Sequence, residues 1–256
     1  MLLAIDVGNS HTVIGVFDND TLKHNWRVKT DQTNTGDELA SLFHGLFSMK
    51  AMHFTQITGV ILASVVPPMQ SAWSNFINEH LSCKSLVVDT SIPTGITVLT
   101  DNPSEVGADR IVNAAAAYKQ FRTALIIVDF GTAITLDCVS KKGEYLGGVI
   151  APGLGISMEA LGEKTAKLPR VDISTPPAAA IGTNTVDAIK SGVLFGFGGM
   201  VEGLITRIKN QMDKPEPKVI ATGGMAALIA PYAPSIESVD PLLTLIGLKL
   251  IHGKNS

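Results

Sequence analysis

Little in this 256-residue chain invites cross-linking or metal capture. Its two cysteines, Cys83 and Cys138, lie too far apart for a CxxC pair, and the expectation is two reduced, buried thiols. Its six histidines form neither HExxH nor a His/Cys cluster, which argues against a zinc site. Neither sign of charge prevails: 20 Lys+Arg against 23 Asp+Glu leave a net −3, and the basic residues are scattered. Such a surface gives no footprint for nucleic acid or an anionic membrane. Long apolar runs are missing too. The longest uncharged stretch, residues 54–78, contains Pro67-Pro68, Gln70, Asn75 and Asn78 and does not read as a membrane span. The opening MLLAIDVGNS is broken by Asp6 and Gly8 and lacks the basic region and long apolar core of a secretory signal. A soluble, cytoplasmic chain without nucleic-acid or membrane partners is therefore expected. GxxxxGK[ST] is absent, as is GxGxxG after the first strand, which excludes a P-loop and disfavours a dinucleotide fold.

What is present is a 45% hydrophobic chain in which short β-branched runs alternate with helical patterns, the mark of an α/β architecture. Strands are expected at 2–7, 12–17, 23–29, 58–66, 85–88, 124–129, 133–139, 145–150 and 219–221. Thr35-x-x-Glu38 has the form of a capping box and opens an amphipathic helix. Further helices are expected at 70–81, after the Asn102-Pro103-Ser104 turn, after Pro152-Gly153, from Thr185 or Asp187 to about Met212, and from Pro241 onward. Residues 169–180 and Pro215-Glu216-Pro217 read as loops. The helix after Thr185 carries five glycines between 192 and 203, which suits close approach to another helix or subunit.

An internal echo decides the architecture. Residues 3–13 (LAIDVGNSHTV) laid over 126–136 (IIVDFGTAITL) match in chemistry, with Asp6 on Asp129, Gly8 on Gly131, Asn9 on Thr132 and Thr12 on Thr135. Two such copies imply two similar halves, 1–120 and 121–256, facing each other across a cleft. Each turn suits polyphosphate: the glycines let backbone N–H groups approach anionic oxygens, and Asn9, Ser10 and Thr132 add donors. Asp6 and Asp129 make sense there if they hold a cation that neutralises phosphate. Each Asp-x-Gly alone would pass for an ordinary β-turn. The pair, with a third glycine turn at Thr222-Gly223-Gly224 where a nucleoside could sit, favours the functional reading. Two Asp-Gly turns and a late Gly-Gly turn resemble the actin, sugar kinase and Hsp70 superfamily, which implies RNase H-like, actin-like halves of mixed sheets flanked by helices.

Residues 102–110 read N-P-S-E-V-G-A-D-R. An aspartate at a helix start can accept the proton of an attacking hydroxyl, and the Arg110 fork can grip a carboxylate. Alone, Asp109 would equally pass for a helix N-terminal acid beside a solvated arginine. Together with DVGNSH, DFGTA, GGVIAPG (147–153) and IGTNT (181–185), however, the motif resembles the type III pantothenate kinase family, from Met1 to the final helix.

That resemblance implies ATP-dependent phosphorylation of pantothenate, the first committed step toward coenzyme A. Asp109 would be the proton acceptor, with Gly107, Ala108, Asp109 and Arg110 lining the pantothenate site. Asp6, Val7, Gly8, Asn9, Ser10, His11, Thr12 and Val13 would wrap the ATP phosphates, with Asp6 near Mg²⁺, directly or through water. Thr132 would contact ATP, and Asp129 would ligate a monovalent cation, K⁺ or NH₄⁺. Thr185 would reach substrate across the interface of a homodimer. Thr100 stands where many members carry tyrosine, which bears on substrate affinity. Two other readings fit the fold: another small-molecule kinase, or a non-catalytic accessory protein of transcription. The carboxylate fork at Gly107–Arg110 disfavours the first, and the intact Asp6, Asp109 and Asp129 set disfavours the second.

Overall fold

The computed structural model describes residues 1–89, 91–165, 167–212 and 216–256; Pro215 of the Pro215-Pro217 loop lies outside them. They form two compact units, one of Met1–Thr97, Asp101–Ala116 and Leu243–Ser256, the other of Val98–Thr100 and Ala117–Leu242.

In the first unit, β1 (Leu2–Val7), β2 (His11–Asp18) and β3 (Thr21–Lys29) form an antiparallel meander. The Thr35 capping box starts α1 (Gly36–Ser48): Glu38 N–H donates to Thr35 Oγ1 (3.3 Å) and Thr35 N–H to Glu38 Oε2 (2.7 Å). β4 (Gly59–Ser64) and β5 (Lys84–Val87) lie parallel, in the order β3-β2-β1-β4-β5. β4 is almost wholly apolar and buried, as a central parallel strand must be, whereas edge strand β3 alternates exposed and half-buried residues. The helix expected at 70–81 is α2 (Gln70–Phe76) running into a wider π-turn, Ile77–Leu81, which ends at Ser82 with φ 50°. Phe43 of α1 meets Trp73 edge-on at 5.7 Å and Phe76 at 4.8 Å, which packs both helices onto one face of the sheet's core. α3 (Ala108–Phe121) follows the Asn102-Pro103 turn, with Ala114–Ala117 buried.

The second sheet contains β6 (Thr97–Val98), β7 (Leu125–Phe130), β8 (Ala133–Val139), β9 (Glu144–Pro152), β10 (Lys218–Thr222) and β11 (Ser238–Val239), in the order β11-β10-β7-β8-β9-β6. Its directions repeat the first sheet: β7, β8 and β9 are antiparallel neighbours, and β10 and β11 run parallel to β7. Strand for strand, β7-β8-β9-β10-β11 therefore reproduces β1-β2-β3-β4-β5, with β6 added at one edge. Two actin-like α/β halves follow directly from this topology. β6 and β11, two residues each, leave too little periodicity to be read from sequence. The helices are α4 (Leu154–Glu163), α5 (Thr185–Lys209) and the short α6 (Ala226–Ile229). Asn184 caps α5, accepting the Asp187 N–H at 2.9 Å.

The sequence division at 120/121 leaves the last helix, α7 (Leu243–Asn255), with the second half, but it belongs to the first unit. Gly247 packs on the backbone of Val112, where a Cβ would lie 2.4 Å from the carbonyl oxygen, and Thr244 Oγ1 donates to Asn113 Oδ1 at 2.7 Å. Leu245 reaches Gly15 of β2. Linear order carried no sign of which sheet its buried leucines would cover. Both cysteines are free thiols. Cys138 is buried, whereas Cys83 is half-buried, enough for burial to raise its pKa. By length and composition alone α5 could cross a membrane, a feature not evident in the sequence reading, and 33% of its apolar window is buried. It carries Asp187, Lys190, Glu202, Arg207 and Lys209, and at Gly198 it lies against Tyr232 so closely that a Cβ would come within 2.4 Å.

Candidate active site

Asp6 and Asp129 occupy the same place in their sheets, one residue before the end of β1 and of β7. The turns that follow differ by one residue. Val7 pairs with Thr12, but Phe130 pairs with Ile134, so Gly8-Asn9-Ser10 in the first unit corresponds to Gly131-Thr132 in the second. Beyond the turn the sequence echo therefore slips by one: Thr12 stands where Ile134 does, and Val13 where Thr135 does. The slip moves side chains to the opposite face. It explains why Thr12 is buried, as Ile134 is. In both turns the glycine N–H bonds within the hairpin, Gly8 to His11 O and Gly131 to Ala133 O, each at 3.1 Å. The N–H groups of the two glycines are thus engaged within their own hairpins.

In the first unit the Thr12 hydroxyl lies 2.9 Å from Thr30 Oγ1, inside the protein, and the Val7 side chain is also buried; either can reach a ligand only through its backbone. His11 and Asn9 are exposed. Arg27, which has only donors, reaches His11 Nδ1 at 3.1 Å, so Nδ1 accepts and the ring proton resides on Nε2. Burial, and then the Arg27 charge, lower the His11 pKa and favour the neutral ring.

Val65 connects this turn to the start of α3. Its N–H donates to Val7 O at 3.1 Å, and its Cγ1 lies 3.5 Å from where a Gly107 Cβ would stand. Asp109 Oδ1 would be only 2.6 Å from that Cβ, so glycine is what lets the carboxylate fold back over the helix start. The same oxygen accepts the Arg110 N–H at 2.8 Å, and Gly107 O accepts the N–H groups of Arg110 (3.1 Å) and Ile111 (3.3 Å). Ala108, Asp109 and Arg110 are half-buried. The Asn and Glu of NPSEVGADR act locally. Asn102 Nδ2 donates to Glu105 Oε1 at 2.8 Å and Ser104 Oγ to Asn102 Oδ1 at 2.7 Å, closing the turn before the helix.

In the second unit the Gly223-Gly224 turn lies against Asp129. Gly223 has φ +93°, and a Cβ there would meet Asp129 Oδ1 at 2.4 Å and Phe130 N at 2.6 Å. Asp129 faces Thr222 on β10 and Thr135 on β8. Thr135 Oγ1 donates to Asp137 Oδ2 at 3.0 Å, and Tyr145 OH to Asp137 Oδ1 at 2.6 Å, in a fully buried carboxylate site that sequence reading missed. Its only sequence signal was an acid inside a strand that is apolar but for Thr135. Thr132 is half-buried, and its carbonyl accepts the Gly153 N–H at 3.1 Å. Thr185 is exposed in the first turn of α5, where the IGTNT segment wraps closely: a Gly182 Cβ would lie 2.3 Å from Ala188 N. The Thr100 hydroxyl is buried, and the Thr100 Cγ2 lies 3.8 Å from where a Gly147 Cβ would stand.

The family model of type III pantothenate kinase matches residues 2–207. A type III pantothenate kinase of Geobacter sp. (strain M21) is 52% identical over 255 residues, spanning 100% of both chains. That of Geobacter sulfurreducens is 49% identical, over 100% of this chain and 99% of its own. The chain belongs to the type III pantothenate kinase family. The kinase thus transfers a phosphoryl group from ATP to pantothenate, on the route to coenzyme A. Among solved structures, a Campylobacter jejuni protein described as a Baf family transcriptional activator has a TM-score of 0.62 at 19% identity, covering 99% of this chain and 98% of its own. Component A of the (R)-2-hydroxyglutaryl-CoA dehydratase of Acidaminococcus fermentans has a TM-score of 0.55 at 14% identity, covering 98% and 95%. At these identities the likeness concerns the fold alone, and it leaves the family assignment of the kinase where the sequence relatives put it.

Proposed function

We propose that the kinase divides its chemistry between its two duplicated turns and the start of α3. The observation that carries this reading is the pair of aspartates at equivalent strand ends, with Asp109 folded over Gly107, whose neighbour Val65 bonds to Val7 at the end of the first of those strands. The segment from Asp6 to Val13 takes the ATP phosphates, with donors from the turn after Gly8, and Thr132 contacts ATP. Asp6 and Asp129 offer the hard carboxylate oxygens that Mg²⁺ and K⁺ or NH₄⁺ prefer, Asp6 toward Mg²⁺ and Asp129 toward the monovalent ion. Mg²⁺, when bound, neutralises phosphate charge during transfer. Gly107, Ala108 and Arg110 hold pantothenate, the Arg110 guanidinium on its carboxylate. The substrate hydroxyl oxygen attacks the γ-phosphorus, the bond to the β-phosphate oxygen breaks to release ADP, and the hydroxyl proton passes to Asp109.

The kinase acts in this reading as a cytoplasmic homodimer, with no nucleic-acid or membrane partner. Support for a subunit contact comes from α5. Gly192, Gly196 and Gly199 share a helix face, and a Cβ at any of them would meet nothing within 4 Å. Val186 and Phe195 are exposed on the same helix, at 41% and 37%. A bare glycine stripe flanked by exposed apolar side chains suits close approach of a second copy. If Thr185 serves the partner's site, complementation follows: Asp109→Asn and Thr185→Ala protomers, each impaired alone, regain turnover when mixed and allowed to exchange. The recovered rate approaches one quarter of wild type, since half the dimers are mixed and each carries one intact site. Mixtures no more active than the average of their parents would show that Thr185 works within its own chain.

A further inference from the structure

Thr30 follows β3 directly and is 7% exposed. Its N–H donates to Ser10 O at 3.0 Å, and its hydroxyl donates to Gly8 O at 2.7 Å. A hydroxyl has one proton, so the 2.9 Å contact with Thr12 Oγ1 is a bond in which Thr12 donates. One buried residue thus engages the first and last carbonyls of the Gly8-Asn9-Ser10 turn and is itself held by Thr12.

The duplication supplies an internal comparison. Lys29 pairs with His11 and Pro152 with Ala133, so the residue equivalent to Thr30 is Gly153. The Gly153 N–H donates to Thr132 O at 3.1 Å, the counterpart of the Thr30 bond to Ser10. No side chain fits there: a Cβ at Gly153 would lie 2.2 Å from Thr132 O and 2.6 Å from Gly131 O. The shorter second turn drops its carbonyls into the space that the Thr30 side chain occupies in the first. Beneath them, the polar pair Thr12 and Thr30 corresponds to Ile134 and Gly153. The added residue of the first turn thus goes with a hydroxyl that fastens it.

We propose that Thr30 is a positioning residue for the ATP phosphates, fixing the two outer peptide planes of the first turn. In a planar trans peptide the C=O and the following N–H point in opposite directions. Holding Gly8 O and Ser10 O toward Thr30 directs the N–H groups of Asn9 and His11 away from it, as an anion-binding concavity of successive N–H groups requires. The Asn9-Ser10 bend is open, and the Gly8 carbonyl, which would accept the His11 N–H in a closed four-residue turn, is held by Thr30 instead. This rests on the reading that the Asp6–Ser10 turn takes ATP phosphates.

The test compares Thr30→Val and Thr30→Ala, which remove the hydroxyl, with Thr30→Ser, which restores it. In Val and Ala the KM for ATP rises about tenfold or more, as for a buried acceptor left unsatisfied, while the KM for pantothenate stays within about twofold. Ser returns the KM for ATP to within about threefold of wild type. Equal rises in both KM values, or no rescue by Ser, would reduce Thr30 to a structural residue and overturn the proposal. Hydrogen exchange with and without ADP and Mg²⁺ separates the underlying reading. If ADP fails to protect residues 8–11 in the wild type, the phosphate assignment falls and the proposal with it. If ADP protects them and Val and Ala keep the wild-type KM for ATP, the proposal alone falls.

Discussion

Asp109→Asn is expected to lower pantothenate-dependent turnover by about 10²–10⁴-fold, the usual contribution of a positioned general base. The substitution isolates chemistry from structure. The asparagine keeps an Oδ1 able to accept the Arg110 N–H, which Asp109 accepts at 2.8 Å, and it is no larger beside Gly107. The start of α3 should stand, and a thermal melt should place the variant close to the wild type, less the small helix-dipole contribution of a carboxylate, about 0.3–1 kcal/mol. What the amide lacks is basicity. The signature is therefore a collapse of kcat with the KM for ATP little changed. A loss of less than about tenfold would remove Asp109 from the role of base.

Gly223→Ala is expected to damage fold and site together. The residue sits at φ +93°, where an L side chain costs roughly 1–2 kcal/mol. Its Cβ would stand 2.4 Å from Asp129 Oδ1 and 2.6 Å from Phe130 N, and such overpacking costs roughly a further 1–3 kcal/mol. Denaturant unfolding should show a loss of roughly 2–5 kcal/mol, as the sum of those two costs. The Asp129 carboxylate must turn away from the new methyl, so the K⁺ concentration for half-maximal rate should rise in the fraction that folds. A variant with wild-type stability and unchanged K⁺ dependence would show that Gly223 does not constrain Asp129.

Much of this was legible in the sequence because its strongest signals are local. Asp6-Val7-Gly8 and Asp129-Phe130-Gly131 end strands whose apolar runs are unmistakable, and their likeness announced two sheets of one topology. The Thr35 box is likewise contained within four residues. Contacts between distant segments were less legible. The single-residue difference between the turns, the engagement of both glycine N–H groups, and the bonds from Thr30 to a turn about twenty residues earlier depend on register, which no linear pattern states. The assignment of α7 to the first unit depends on which surface its leucines find, and Asp137 depends on a tyrosine from the next strand. The NPSEVGADR motif shows the reverse: a family signature of which one part, Asn102 to Glu105, shapes a turn, and another, Gly107 to Arg110, folds a carboxylate over the start of α3.

The division of labour between the two turns is the central claim, and the monovalent cation tests it most directly. The measurement is the initial rate of pantothenate-dependent ADP release at fixed ATP and Mg²⁺, across a K⁺ series and a matched Na⁺ series, for the wild type and Asp129→Asn. The wild type should be active in K⁺ and nearly silent in Na⁺, and the variant should have lost the distinction. Equal rates in the two salts, or an Asp129→Asn variant with the wild-type K⁺ response, would contradict that division.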